Sequence, residues 1–435
     1  MRGGRLNVLL VVIEGARPDH LSCAGYERET TPFLDRIAHE GVRFSQAFTS
    51  APSSLPAHAS MLTGLFPSLH GATDEAPVLG PGFRLLPEVL RAAGYRTAAF
   101  CPAASISPAS GFGRGFDRFY AQGGGGRLTG RAADYARRAS DRVLGRRDAG
   151  ARRSSEALLS WIDAARNPFF ALVHYREPAS PYRPPAPYDR TFMPAALNGK
   201  DGMAPADAVT SRAALHDGAL RYVDLRIKQI ADGLVADGRW EQTLFVCTAS
   251  YGEDLGDLGG AGAMVDGRLR VPLILRCPGR IPAGFVVEEF AQPVDLLPTI
   301  AALTGCALEV PVQGRALLTE SGATPGPRNV VTEAFRAPLG AAAKNGAALD
   351  VRRKMIRTRR EKFVWQSDEA NAMYDLTRDP LERRNLVAEV PERADRLRRE
   401  LFDWLAESER WATERGLPRA DAASWPVLER QRAGR

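Results

Sequence analysis

The chain has 435 residues, 25% of them charged and 44% apolar, with a formal net charge of +7. These proportions are ordinary for a folded globular protein and exclude a disordered or fibrous chain; at about 150 residues per domain they leave room for two or three domains. The excess charge comes from arginines scattered in short groups such as Arg137-Arg138 and Arg352-Arg353-Lys354, with no basic stripe and no recognisable module, so nucleic-acid binding is not expected.

The cysteines (Cys23, Cys101, Cys247, Cys277 and Cys306) are far apart and odd in number, with no C-x-x-C or Cys/His cluster, so neither a disulfide framework nor a zinc site is expected. No stretch approaches the ~20 apolar residues of a membrane span, and the run Leu6–Ile13 is too short for a signal-peptide core with a cleavage site. The expectation is a cytoplasmic protein with reduced thiols and no membrane partner.

Taken in order, Leu6–Ile13 is apolar but for Asn7 and rich in valine, as a strand buried on both faces of a parallel sheet should be. It ends at Glu14-Gly15, and ligands of open α/β sheets bind at the carboxyl ends of strands. Thr31–Gly41 reads as a helix. Ser53–Gly64 reads as a second, with Pro56 at the first helical position and Gly64 just past the end. Such a helix points several unpaired N–H groups back toward Ser54, which makes an anion site with a hydroxyl beside it.

Leu85–Ala93 is a further helix, Arg96–Cys101 a strand, and the glycine-rich Gly111–Gly130 a long loop. Helices are expected at Asp134–Gly145 and Ser154–Ala165, a buried strand at Pro168–Tyr175, and an irregular loop at the proline-rich Arg176–Tyr188. A long helix follows over Ser211–Ala236, then strands at Thr243–Ala249 and Arg270–Cys277 and a helix at Val294–Gly305. This alternation predicts a doubly wound, mostly parallel α/β sheet over residues 1–318. Short antiparallel strands within Asn329–Phe335, Lys354–Trp365 and Asn371–Leu376, and an amphipathic helix at Glu392–Glu414, predict a smaller α+β domain over 319–435.

The run from Thr30 to Gly71, TTPFLDRIAHEGVRFSQAFTSAPSSLPAHASMLTGLFPSLHG, resembles the signature region of the sulfatase family, within the alkaline phosphatase/sulfatase superfamily. The likeness continues through Asn7–Glu14, Phe170–Tyr188, Thr248–Asp257, Arg270–Gly279, Val294–Gly305 and Met373–Leu386, and so covers nearly the whole chain. It implies the large sheet with a smaller C-terminal domain. In the family, a Cys or Ser in C/S-x-P-x-R before an L-T-G becomes formylglycine, whose hydrate attacks the sulfur of a sulfate ester. Matching Pro56 and Leu62-Thr63-Gly64 to that pattern puts Ser54 at the nucleophile position and His58 at the arginine.

The resemblance also implies one divalent cation, usually calcium, held by oxygen ligands at strand ends. The matching positions here hold Glu14, Gly15, Ser250 and Tyr251, of which Glu14 alone brings a carboxylate. The family's P-H-x-P-Y histidine falls on Ala179, and the histidine of G-E-H-G on Leu258. His174 and Arg270 remain as groups able to meet an anion. The framing residues are kept while nearly every chemical position differs, so the reading is a pseudoenzyme without the metal site or other cofactor. It retains at most binding of a small anion (a sulfate or phosphate ester) or of a partner, either an active relative or another protein. The alternative is an active ester hydrolase rebuilt around Glu14, Ser54 and His58, with calcium or magnesium.

Overall fold

The structure, a computed structural model, describes residues 5–121, 148–165, 168–197, 205–258, 262–318, 326, 328–335, 352–367 and 370–418. The helix expected at Asp134–Gly145 and positions 122–130 of the expected loop lie outside these residues.

Among the described residues, twelve strands and nine α-helices carry the fold. In chain order they are β1 (Asn7–Ile13), α1 (Pro32–His39), β2 (Val42–Phe44), α2 (Ser54–Thr63), α3 (Pro67–His70), α4 (Leu86–Ala92), β3 (Arg96–Cys101) and β4 (Arg118–Ala121). There follow α5 (Ala151–Ala164), β5 (Phe169–Tyr175), α6 (Pro205–Ala236), β6 (Thr243–Thr248), α7 (Asp266–Leu269), β7 (Leu273–Arg276), β8 (Phe285–Val287) and α8 (Leu296–Thr304). The C-terminal part contributes β9 (Val330–Ala334), β10 (Arg353–Arg357), β11 (Glu361–Gln366), β12 (Ala372–Asp375) and α9 (Pro391–Glu414).

Eight strands form one sheet in the order β4-β3-β5-β1-β6-β7-β2-β8. All its pairings are parallel except those of β7 with β6 and β2. β1 is central, and every residue of β1 and β5 is buried, which is why both read as mainly apolar runs rather than alternating ones. The register sets Val12 beside both His174 and Thr248, and Ile13 beside Tyr175. The residues that leave these three strands therefore meet at one place on the carboxyl edge.

Three local expectations need correction. Arg118–Ala121, inside the expected glycine-rich loop, is the edge strand β4, paired in parallel with β3; its partly exposed Phe119 and Tyr120 are too short a signal to stand out amid glycines. The strand expected at Arg270–Cys277 is confined to Leu273–Arg276, because Pro272 cannot donate to a ladder. Helix α2 starts at Ser54, two residues before Pro56, although Gly64 does close it in the left-handed region at φ +69°.

The second sheet runs β12-β11-β10-β9, antiparallel throughout. Lys354–Trp365 thus contains a hairpin rather than one strand. One face of this sheet packs on α9 through Ile356, Phe363, Leu397 and Leu401. The other packs through Met355, Val364 and Tyr374 on Phe48, Met264 and Phe290 of the larger unit. Lys362, fully buried, reaches Asp266 at 2.9 Å and Glu382 at 2.8 Å, so the charge that burial would penalise is paired on both sides.

Candidate active site

Glu14 follows the last residue of β1 and is 7% exposed. Its carboxylate is surrounded by groups from the neighbouring strand ends. The Arg176 Nε–H donates to Oε2 at 3.3 Å, the Tyr251 hydroxyl donates to Oε1 at 3.2 Å, and His174 Nε2 lies 3.1 Å from Oε2. His174 is fully buried, and this approach to Oε2 is off the ideal line of a hydrogen bond. Burial by itself would raise the Glu14 pKa. His174 and then the Arg176 guanidinium outweigh it and hold the carboxyl at about 2.

Gly15 takes a left-handed conformation, φ +82°, and a Cβ there would come within 3.1 Å of the Ala179 and Pro178 backbones. A side chain here is disfavoured twice, by the left-handed backbone and by the proline-rich loop pressed against the position. Its N–H donates to the Tyr251 carbonyl at 3.1 Å and its carbonyl accepts from the Glu253 N–H at 3.2 Å. Ser250 is fully buried with an unpartnered hydroxyl, and its carbonyl accepts from Thr49 Oγ1 at 2.6 Å. Tyr251 stacks its ring 6.0 Å from the Arg268 guanidinium; burial first and the Glu14 charge second keep the phenol protonated.

Ser54 is half-buried at the start of α2. His58 is 1% exposed, with Nδ1 2.7 Å from the Ser54 carbonyl and 3.4 Å from the Ser54 hydroxyl. The shorter contact is to an acceptor, so Nδ1 carries the proton and donates it to that carbonyl, leaving the lone pair on Nε2. In this tautomer Nδ1 cannot take a proton from Ser54. Burial, then the neighbouring His174, depress the His58 pKa to about 3, and the imidazole is neutral at physiological pH. The two histidine rings meet edge to face, 4.5 Å between centroids, which joins α2 to the Glu14 cluster.

The helix start is poorer in donors than the sequence suggests. Pro56, third in the helix, has no N–H, and the Ala57 N–H already reaches the Ser53 carbonyl at 3.3 Å. The first turn offers the N–H groups of Ser54 and Leu55.

Other sequence-selected positions stand apart from this cluster. Arg270 donates to the Ser45 carbonyl at 3.0 Å and lines a hollow of about 300 Å³ with Asp19, Cys23 and Arg43. Leu258 packs on Gly267, where a Cβ would meet its side chain at 2.3 Å. Ala179 is buried against Gly15. Sequence reading missed Arg176, which is the first residue after β5 and becomes a neighbour of Glu14 only through the β1–β5 register. A search for polar residues one step past each buried strand would have found it.

A mostly parallel sheet with its polar cluster at the carboxyl edge of the central strand defines an α/β protein of the alkaline phosphatase/sulfatase type. The sulfatase family model matches residues 6–306, and a model for the C-terminal part of N-sulphoglucosamine sulphohydrolase matches 262–410. The chain belongs to the sulfatase family. It is 24% identical to an arylsulfatase of Clostridium perfringens, covering 94% of this chain and 96% of that one. The phosphonate monoester hydrolase of Agrobacterium radiobacter superposes with a TM-score of 0.78 at 24% identity, covering 93% and 96%. A structure in complex with its substrate D-glucosamine-2-N,6-O-disulfate gives 0.69 at 20% identity, covering 95% and 99%. No described helix is long and apolar enough to cross a membrane.

Proposed function

We propose that this sulfatase-family chain binds a small oxyanion, a sulfate or phosphate ester, beside Ser54 and does not hydrolyse it by the family's metal-dependent route. The observation that carries the reading is the Glu14 carboxylate, held by Arg176, Tyr251 and His174. A hard divalent cation takes six or more oxygen donors, several of them charged, to offset the loss of its water. At this strand end Glu14 is the carboxylate nearest the family position, with Glu253 beyond it, its pKa raised by burial, accepting from the Tyr182 hydroxyl at 3.3 Å; Gly15 has no side chain, Ser250 and Tyr251 bring neutral hydroxyls, and a guanidinium occupies the flank of Oε2. These residues do not fit the family's cation. Arg176, with its side chain 41% exposed, supplies a positive charge to a ligand instead.

The test measures sulfate and aryl phosphate binding by calorimetry, alongside turnover of aryl sulfate and aryl phosphate at saturating concentration. Binding without turnover above a Ser54→Ala control supports the reading; turnover that vanishes in Ser54→Ala overturns it.

A second reading is hydrolysis of sulfate or phosphate esters at a site rebuilt around Glu14, Ser54 and His58. What favours it is the names of the relatives, an arylsulfatase and a phosphonate monoester hydrolase, together with the placing of Ser54 at a helix start. It needs a base for Ser54 other than His58 Nδ1, because that nitrogen is engaged as a donor. The alternative of a protein partner, expected from the lost chemical positions, has no supporting feature among the described residues.

A further inference from the structure

Beyond Gly15, reached through its carbonyl, lies a buried cluster with no part in oxyanion binding or ester hydrolysis. His20 follows β1 by seven residues, while His216 and Asp217 sit side by side on α6. Their ligand atoms all lie within 4.8 Å of one another, the only such group of three or more His, Cys, Asp or Glu side chains among the described residues. His20 is 7% exposed, and His216 and Asp217 are fully buried. The group contains no cysteine, so cysteine spacing could not reveal it.

Three details distinguish this cluster from an ordinary buried hydrogen-bond network. His216 Nε2 lies 3.0 Å from the Gly15 carbonyl, an acceptor, so the proton is on Nε2 and Nδ1 carries the lone pair. That Nδ1 has no hydrogen-bond partner, although its side chain is wholly buried. It faces Asp217 Oδ1 at 3.7 Å, an oxygen already engaged by His20 Nδ1 at 2.7 Å, so the His216 lone pair is the acceptor left without a donor in this buried space. Next, the far oxygen of Asp217 is fixed from outside, accepting from the Tyr26 hydroxyl and Arg28 NH1, each at 2.8 Å. A metal-bound histidine commonly donates its second N–H to a backbone carbonyl, and a ligating carboxylate is commonly held by further donors. Both supports are present here. Finally, His20 Nδ1 lies 2.7 Å from Asp217 Oδ1 and completes a third corner.

We infer that His20, His216 and Asp217 form a binding site for a zinc-class divalent transition-metal ion. The donor set is two imidazole nitrogens and one carboxylate oxygen, which suits zinc, cobalt or nickel and is poor for calcium. Ligands about 2.1 Å from a tetrahedral ion stand roughly 3.4 Å apart. The His216–Asp217 separation is already close to that figure, the two imidazole nitrogens, which lie within 4.8 Å, draw together, and the His20–Asp217 contact opens by about 0.7 Å. In doing so the ion takes the place of the proton between those two atoms, and that proton passes to His20 Nε2. Arg28 is 26% exposed on its side chain and can turn to solvent, relieving the cation beside it. A fourth position is left for water. The ion ties the loop after β1 to α6 and, through His216, fixes the Gly15 carbonyl on which the Glu14 strand end hangs.

The test uses the full chain, stripped by a chelator, dialysed and titrated with Co²⁺ and with Zn²⁺. The expected result is one ion per chain, a visible cobalt spectrum of tetrahedral type, and a rise in melting temperature on zinc addition. The cobalt spectrum should be lost in His216→Ala and in His20→Gln, and kept in Glu14→Ala. His20→Gln is included because it lies at the partly accessible edge and should fold even if His216→Ala does not. Wild-type protein that takes up no cobalt, or takes it up equally in His20→Gln, overturns the assignment. Loss of the spectrum in Glu14→Ala alone would move the ion to the Glu14 carboxylate and overturn it as well.

Discussion

Replacing Glu14 with glutamine keeps the shape of the side chain and deletes the charge that Arg176, Tyr251 and His174 enclose. The folded-state pKa of about 2 against an ordinary 4.5 means that these neighbours favour the ionised over the neutral carboxyl even after the cost of burial. At about 1.4 kcal/mol per pKa unit the difference is roughly 3.5 kcal/mol, an upper figure because Arg176 is 41% exposed on its side chain and its share is screened by solvent. Glutamine stands in for the neutral form, so Glu14→Gln is expected to lose about 2–3 kcal/mol of stability at pH 7. A carboxyl with a depressed folded pKa binds fewer protons folded than unfolded between about 4.5 and 2, so its contribution is full above 4.5 and is lost as the pH falls through that window. Urea unfolding at a series of pH values reads both effects: a lower midpoint for the variant at pH 7, and a shallower fall of stability below pH 4.5. A variant as stable as wild type at pH 7 would refute the reasoning. So would a stability loss that appears only when calcium is present, since that would make a cation the partner of the carboxylate.

Tyr251→Phe removes one donor to the same carboxylate and should cost about 1–2 kcal/mol, read as a lower urea midpoint. Gly15→Asp, the substitution that would restore a second carboxylate by analogy with the family, should destabilise the protein and confer no calcium-dependent rise in melting temperature, because the position has φ +82° and a Cβ would press on the Ala179 backbone at 3.1 Å. His58 and His70 are buried with folded pKa values near 3, each depressed first by burial, so the unfolded chain takes up protons that the folded chain refuses between about 6.5 and 3. Stability should therefore fall as the pH drops through that range, and His70→Gln should flatten the fall.

The parts of the fold legible in the sequence were those buried on both sides. β1, β5 and β6 stand out as mainly apolar runs because both of their faces are buried, with their polar residues confined to the strand ends. Short edge strands such as β4 and β8, with exposed positions, carry no comparable signal. The sheet came within reach through alternation of strands and helices, but its order depends on long crossovers that local pattern does not encode. At the site, Glu14, Ser54, His58, Ser250 and Tyr251 were found by position in a motif. The pairing of Glu14 with Arg176 was not, since it arises from register across 162 positions of chain. The same holds for His20 and Asp217, which are 197 positions apart.

The central claim is that Glu14 answers the protein's own cationic groups and that Ser54 remains serine. Native mass spectrometry of the intact full chain, followed by peptide mapping of Ser54, tests both at once. The account predicts no stoichiometric calcium or magnesium dependent on Glu14 and an unmodified serine in the Ser54 peptide. Bound calcium or magnesium that disappears in Glu14→Ala, together with a Ser54 peptide lighter by two hydrogens as formylglycine requires, would contradict it.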